Sequence, residues 1–216
     1  MTTFRACLAL VLVAACGAPE QPAPEQPSAK TQLETEAITG PPLETSPASK
    51  GGLFLRKISF GAMGTDVTIE VIGKDAATLD EVLVAAEAEL RRVEDVMTSW
   101  RDSPLTRLNG QSGQGPQPVS EELALLIGRG LAVGELTEGA FDITFASVGK
   151  LWDFKANPPI LPSKEEIANA LLGVGFDKVE LDLDKLTVTL PAGTRLGLGG
   201  IAKGYGVDRA MKVLLD

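Results

Sequence analysis

Leu196-Gly197-Leu198-Gly199-Gly200-Ile201-Ala202-Lys203-Gly204-Tyr205-Gly206-Val207-Asp208 is the stretch that decides how this chain is read. It predicts a strand over 194–198, a tight glycine turn at 199–200 and a helix opening at about Ile201. Glycine has no Cβ, so its backbone N–H groups can approach a ligand closely, and a helix N-terminus favours phosphate. Lys203 is placed to add a positive charge. Taken only as glycines before a helix, the segment is equally a structural turn. It is neither a Walker A loop nor a GxGxxG fingerprint.

Upstream, the pattern alternates between strand and helix signals without a regular βαβ repeat. Residues 53–60 form a short apolar-rich strand, and Asp66-Val67-Thr68-Ile69-Glu70-Val71-Ile72 alternates polar and apolar as a half-buried strand does. Across 76–98 the apolar side chains Leu79, Val82, Leu83, Ala86, Leu90, Val93 and Met97 recur at helical spacing. Glu87, Arg91, Arg92 and Glu94 read as the solvated face of that helix. Ser120 and Ser163 are N-cap candidates for two further helices, each followed by a pair of glutamates that suits the dipole of the first turn. Residues 178–183 and 186–190 read as strands. The expected class is α+β, with mixed helices and antiparallel strands.

Composition narrows the chemistry. The net charge of −9 argues against nucleic acid as the main partner, because phosphate backbones call for clustered Lys and Arg. There is no histidine, which removes Ser-His triads, His-based proton transfer and His-ligated zinc from these residues. The two cysteines, Cys7 and Cys16, both lie near the N-terminus, so neither a disulfide nor a Cys nucleophile serves the body of the domain. A metal would be held by oxygen ligands, which favours Mg²⁺ or Ca²⁺.

Residues 1–15 read as a signal peptide: Arg5 supplies the positive start, and Ala6 to Ala15 is an almost unbroken apolar run. The run is shorter than the roughly 20 apolar residues a spanning helix needs. It ends Val13-Ala14-Ala15-Cys16, which resembles a bacterial lipobox. Lipidation of Cys16 would anchor the chain to a membrane, facing the periplasm, without spanning the bilayer. Gly17, rather than Asp, after the cysteine favours the outer membrane over the inner one. Residues 16–52, rich in Pro and Glu, read as a disordered tether between the anchor and a domain over 53–216.

The wording of the glycine segment raises it above a simple turn. Gly-Gly-Ile-Ala-Lys-Gly-Tyr with a following Val-Asp closely resembles the magnesium-dependent FAD:protein FMN transferase family, formerly described as thiamine-biosynthesis lipoproteins. Further segments match in the same order: Met63-Gly64-Thr65; Met97-Thr98-Ser99-Trp100 with Leu105-Thr106-Arg107-Leu108-Asn109; and Thr137-Glu138-Gly139-Ala140-Phe141-Asp142-Ile143-Thr144 with Leu151-Trp152-Asp153-Phe154. The resemblance implies a flavin-transferase domain of T-fold-like architecture, of which this chain is the N-terminal two-thirds.

It also implies a reaction. FAD is split at its pyrophosphate with Mg²⁺, and FMN is attached through a phosphoester to a Ser or Thr of an acceptor flavoprotein. By the same resemblance Met63 lines the flavin pocket, and Trp100 packs near one of the rings. Ala140, Phe141 and Asp142 contact FAD, and Thr144 helps order their loop. Lys203 approaches the phosphates, and the Gly200 backbone carbonyl contributes a Mg²⁺ ligand. No catalytic group is assigned.

Two departures bear on activity. The family has Asp-Leu-Gly-Gly where this chain has Gly197-Leu198-Gly199-Gly200. The family's principal Mg²⁺ ligands come from a later motif, which suits a chain whose last helix runs to Asp216 without a cap signal. Beside the enzyme reading stand a degenerate lipoprotein that binds FAD or FMN without transferring it, and a remnant with neither activity.

Overall fold

The computed structural model describes residues 8–13, 44–49, 52–153, 156–158 and 160–215. They belong to two compact units, Met1–Ala88 with Arg209–Asp216, and Glu89–Asp208.

In the first unit, β1 (Leu8–Val13), β2 (Glu44–Ser49), β3 (Leu53–Ala62) and β4 (Thr65–Gly73) form an antiparallel sheet in the order β1-β4-β3-β2. β4 shows the alternation expected of it, with Val67, Ile69 and Val71 buried between more exposed neighbours. β3 and β4 meet in a two-residue hairpin that pairs Ala62 with Thr65. Met63 (φ 55°) and Gly64 (φ 71°) both take the positive φ that a type I′ turn demands.

β1 falls inside the run read as a signal peptide and β2 inside the segment read as a tether. For Glu44–Ser49 the strand backbone differs from the disorder expected there, because the outer edge of β3 offers a row of backbone donors and acceptors. The register slips between Ser46 and Ser49, where Pro47 has no N–H to give. The remaining residues of 1–43, Cys16 among them, lie outside the described residues.

Helix α1 (Ala76–Met97) starts where the Asp75 carboxylate accepts the N–H groups of Ala77 and Thr78. Of its predicted apolar stripe, Leu79, Leu83, Ala86, Leu90, Val93 and Met97 are buried, each large side chain worth about 1.5–3 kcal/mol, while Val82 at the edge of the stripe is half-buried. Glu87 departs from the expectation of a solvated face. It is only 7% exposed, because it sits one turn from Leu83 on the buried stripe.

The second unit carries α2 (Pro104–Gly110), β5 (Gln117–Pro118), α3 (Glu121–Leu136), α4 (Ala146–Gly149), α5 (Lys164–Leu171), β6 (Glu180–Asp182) and β7 (Thr187–Thr189). Short 3₁₀ turns occupy Ile143–Phe145 and Phe176–Lys178. The three short strands pair in the order β5-β7-β6. Ser120 and Ser163 are N-caps as predicted, Ser163 within a capping box closed by Glu166. Helix α6 runs Gly199–Leu215, two residues earlier than the sequence suggests.

Arg92 chelates Glu122 on α3 at 2.7 Å with both nitrogens and also holds Glu89, and these acids, Glu122 foremost, keep its guanidinium protonated beyond even the ordinary arginine range. Tyr205 on α6 donates to the same Glu122 at 2.6 Å, which ties the start of α6 to α3. No helix among the described residues is long and apolar enough to cross a membrane.

Candidate functional site

The site is built on the stretch predicted to be a strand over 194–198. It is not a strand: its backbone polar groups are satisfied by groups outside any sheet. The Arg195 N–H donates to Ser147 Oγ at 2.8 Å. Asn109 accepts the Leu196 N–H through Oδ1 at 2.7 Å and donates Nδ2 to the Leu196 carbonyl at 2.9 Å. The Gly197 N–H reaches the Ile143 carbonyl at 2.7 Å. With Leu196 and Leu198 buried, the segment is fixed on both sides before the chain enters α6.

The loop after α3 is equally constrained. Thr137 Oγ1 donates to the Val133 carbonyl at 2.8 Å and accepts the Phe141 N–H at 3.0 Å. Glu138 and Gly139 turn the chain with φ of 51° and 82°. Asp142 Oδ1 then accepts both the N–H (2.7 Å) and the hydroxyl (2.6 Å) of Thr144, while Oδ2 accepts the Phe176 N–H at 3.1 Å. Thr144 Oγ1 accepts the Gly175 N–H at 2.7 Å. Asp142 therefore caps the turn Ile143–Phe145 and clamps it to the turn beginning at Phe176.

Between these two segments lies a cleft of about 550 Å³, lined by residues 139–142, Phe145, Ala146, Val174, Gly197, Gly199 and Gly200. Phe141 lies directly on Gly200: a Cβ there would come within 2.7 Å of Cε2. At Gly197 a Cβ would sit 3.0 Å from the Ala146 Cβ. The Ile201 and Ala202 N–H groups donate to the Leu198 carbonyl at 3.0 and 2.8 Å, so the amides that the start of α6 can offer the cleft, with the positive end of the dipole, are those of Gly199 and Gly200. Aromatic walls beside bare backbone amides suit a flat ring joined to phosphate.

Of the residues predicted from sequence, Ala140, Phe141, Asp142 and Gly200 come together here. Lys203 is exposed one helical turn beyond Gly199, on the same face of α6. Trp100 is 63% exposed in the bend after α1 and is not among the lining residues. Met63 lies in the hairpin of the other unit. Thr144 orders the loop as expected.

Among the described residues no three acidic, cysteine or histidine side chains gather to hold a metal, and the Gly200 carbonyl belongs to the first turn of a helix. Sequence reasoning gave no role to Asn109, Ser147 or Phe145. A buried Asn that pairs with backbone leaves no periodic trace, although Asn109 stood inside a matched segment.

Residues 63–216 match the model of the ApbE family. The chain belongs to that family. Two relatives named FAD:protein FMN transferase illustrate the similarity. The protein from Haemophilus influenzae is 31% identical over 166 residues, covering 73% of this chain and 48% of its own length. That from Vibrio cholerae is 30% identical over 156 residues, covering 70% and 46%. The crystal structure of the ApbE protein from Thermotoga maritima superposes with a TM-score of 0.67 at 31% identity, covering 74% of this chain and 52% of that one. The chain thus spans about half the length of the relatives it matches. The mixed α and antiparallel β architecture is the ApbE fold.

Proposed function

We propose that this chain supplies the FAD-holding part of an FAD:protein FMN transferase. FAD occupies the cleft with its phosphates against the start of α6, and FMN passes to a Ser or Thr hydroxyl of an acceptor flavoprotein. One observation carries the reading: Phe141, Gly199 and Gly200 share a single cleft, so an aromatic ring stands beside the first two residues of a helix, where a phosphate is favoured. The names of the relatives support the same substrate.

In the transfer the acceptor oxygen bonds to the phosphorus on the FMN side, the phosphoanhydride breaks, AMP leaves and the hydroxyl proton passes to a base. The chain's own groups have positioning roles: the α6 amides and Lys203 meet the phosphates, and the clamped loop holds Phe141 in place. Magnesium dependence comes with the family resemblance, and no step is assigned to the ion because its ligands are not gathered among the described residues. A lipid on Cys16, and a periplasm-facing position at the inner or outer membrane, complete the proposal on the strength of the sequence signal alone.

A second reading, flavin binding without transfer, draws on Gly197, which lines the cleft without the family's carboxylate. Incubation with FAD, Mg²⁺ and an acceptor domain, followed by in-gel fluorescence, separates the two. Labelled acceptor is the expected result. Retained flavin with an unlabelled acceptor supports the second reading, and neither signal overturns both.

A further inference from the structure

We infer that Phe145 is a stacking wall for a planar heteroaromatic ring, and so determines which part of a ring-bearing phosphate ligand the cleft prefers. The inference rests on the proposed function of the same cleft. Phe145 is 62% exposed, yet it does not belong to a loose loop. It ends the turn Ile143–Phe145, whose other two residues, Ile143 and Thr144, are fully buried. That turn is clamped by the Asp142 and Thr144 hydrogen bonds to the backbone of Gly175 and Phe176.

The ring itself is propped against α4, where a Cβ on Gly149 would lie 3.0 Å from Cε1. A large aromatic side chain therefore rests against α4 on a clamped turn, with most of its surface turned to open space. The space it borders is the cleft that also contains Gly199 and Gly200. An exposed apolar surface on a fixed scaffold beside helix-terminal amides marks a ligand site more than a scattered surface residue. A flat π-system gains most from a second ring laid against it, and a fixed ring loses little freedom on stacking. Phe141 cannot play this part alone, because its Cε2 edge already covers Gly200.

Both rings of FAD carry this chemistry, and the isoalloxazine and adenine halves can be tested apart. Dissociation constants of FAD, FMN and ADP are to be measured for the unmodified chain, Phe145→Ala and Phe145→Trp. Thermal unfolding of each variant checks the fold, and quenching of FMN fluorescence reports stacking directly.

Phe145→Ala should weaken FAD on the order of tenfold, and Phe145→Trp should restore it. A matching loss for FMN, with less quenching, assigns the wall to the flavin; a matching loss for ADP assigns it to adenine. If Phe145→Ala binds all three ligands as tightly as the unmodified chain, the inference falls while the cleft's function stands. If the unmodified chain binds none of them, both fall.

Discussion

Asn109 holds Leu196 by both of its backbone polar groups, across 87 residues of sequence, with its amide serving as the strand partner that the segment lacks. Both ends of this contact are buried. Replacing Asn109 with Leu keeps the size but strands a buried N–H and a buried C=O, each worth about 1–3 kcal/mol when unpaired. Asn109→Leu should therefore lose about 2–4 kcal/mol in urea unfolding and should release flavin more readily. A midpoint within error of the unmodified chain would show that water or a shifted backbone replaces the amide.

Two glycines of α6 should respond in opposite directions to the same substitution. At Gly204 an added Cβ meets nothing within 4 Å, so Gly204→Ala should stabilise the helix by about 0.5–1 kcal/mol. At Gly200 the Cβ strikes the Phe141 ring, so overpacking at about 1–3 kcal/mol outweighs the gain in helix propensity. Gly200→Ala should unfold earlier and bind FAD less tightly. Equal shifts of the same sign in thermal unfolding would contradict the close contact.

Gly197→Asp introduces the carboxylate that the family pattern carries. Its Cβ needs the Ala146 methyl to give by a few tenths of an ångström, a cost of about 1 kcal/mol. The variant should be slightly less stable and should retain FAD better through purification. Unaltered or weaker retention would mean that the cleft accommodates its ligand without an acid at this place.

The Ser163–Glu166 capping box should make α5 sensitive to acid. The Ser163 backbone N–H and then its hydroxyl hold the Glu166 carboxyl below the usual glutamate range. A lowered folded value means that the stabilisation is complete above the ordinary glutamate pKa and is lost as pH falls through the depressed one. Amides in the first turn of α5 should exchange faster below that point, and Glu166→Gln should flatten the dependence. Exchange that accelerates equally in the Gln variant would assign the effect to another group.

Much of the framework is legible in the sequence. The stripe Leu79 to Met97 has helical spacing, and Ser120 and Ser163 announce α3 and α5, because caps and periodicity are local physics. Helix α2 is signalled only by Ser103-Pro104, a cap followed by a proline at the first turn, because seven residues are too few for a periodic signal. The 194–198 segment has the apolar alternation of a strand without being one, because its hydrogen-bond partners are side chains of α2 and α4. Glu87 and Phe145 were unreadable for a related reason: burial of a charge and exposure of an aromatic ring are both set by tertiary packing.

The donors that α6 presents to the cleft are peptide groups, which has a bearing on how the site can decay over evolutionary time. Truncating a side chain at 199 or 200 is impossible, since glycine has none, and any other residue except proline keeps the same N–H. Drift at these positions therefore acts by obstruction, filling space that the ligand or Phe141 needs, and leaves the hydrogen-bonding chemistry intact. A cleft obstructed by such a step is reopened by a single return to glycine.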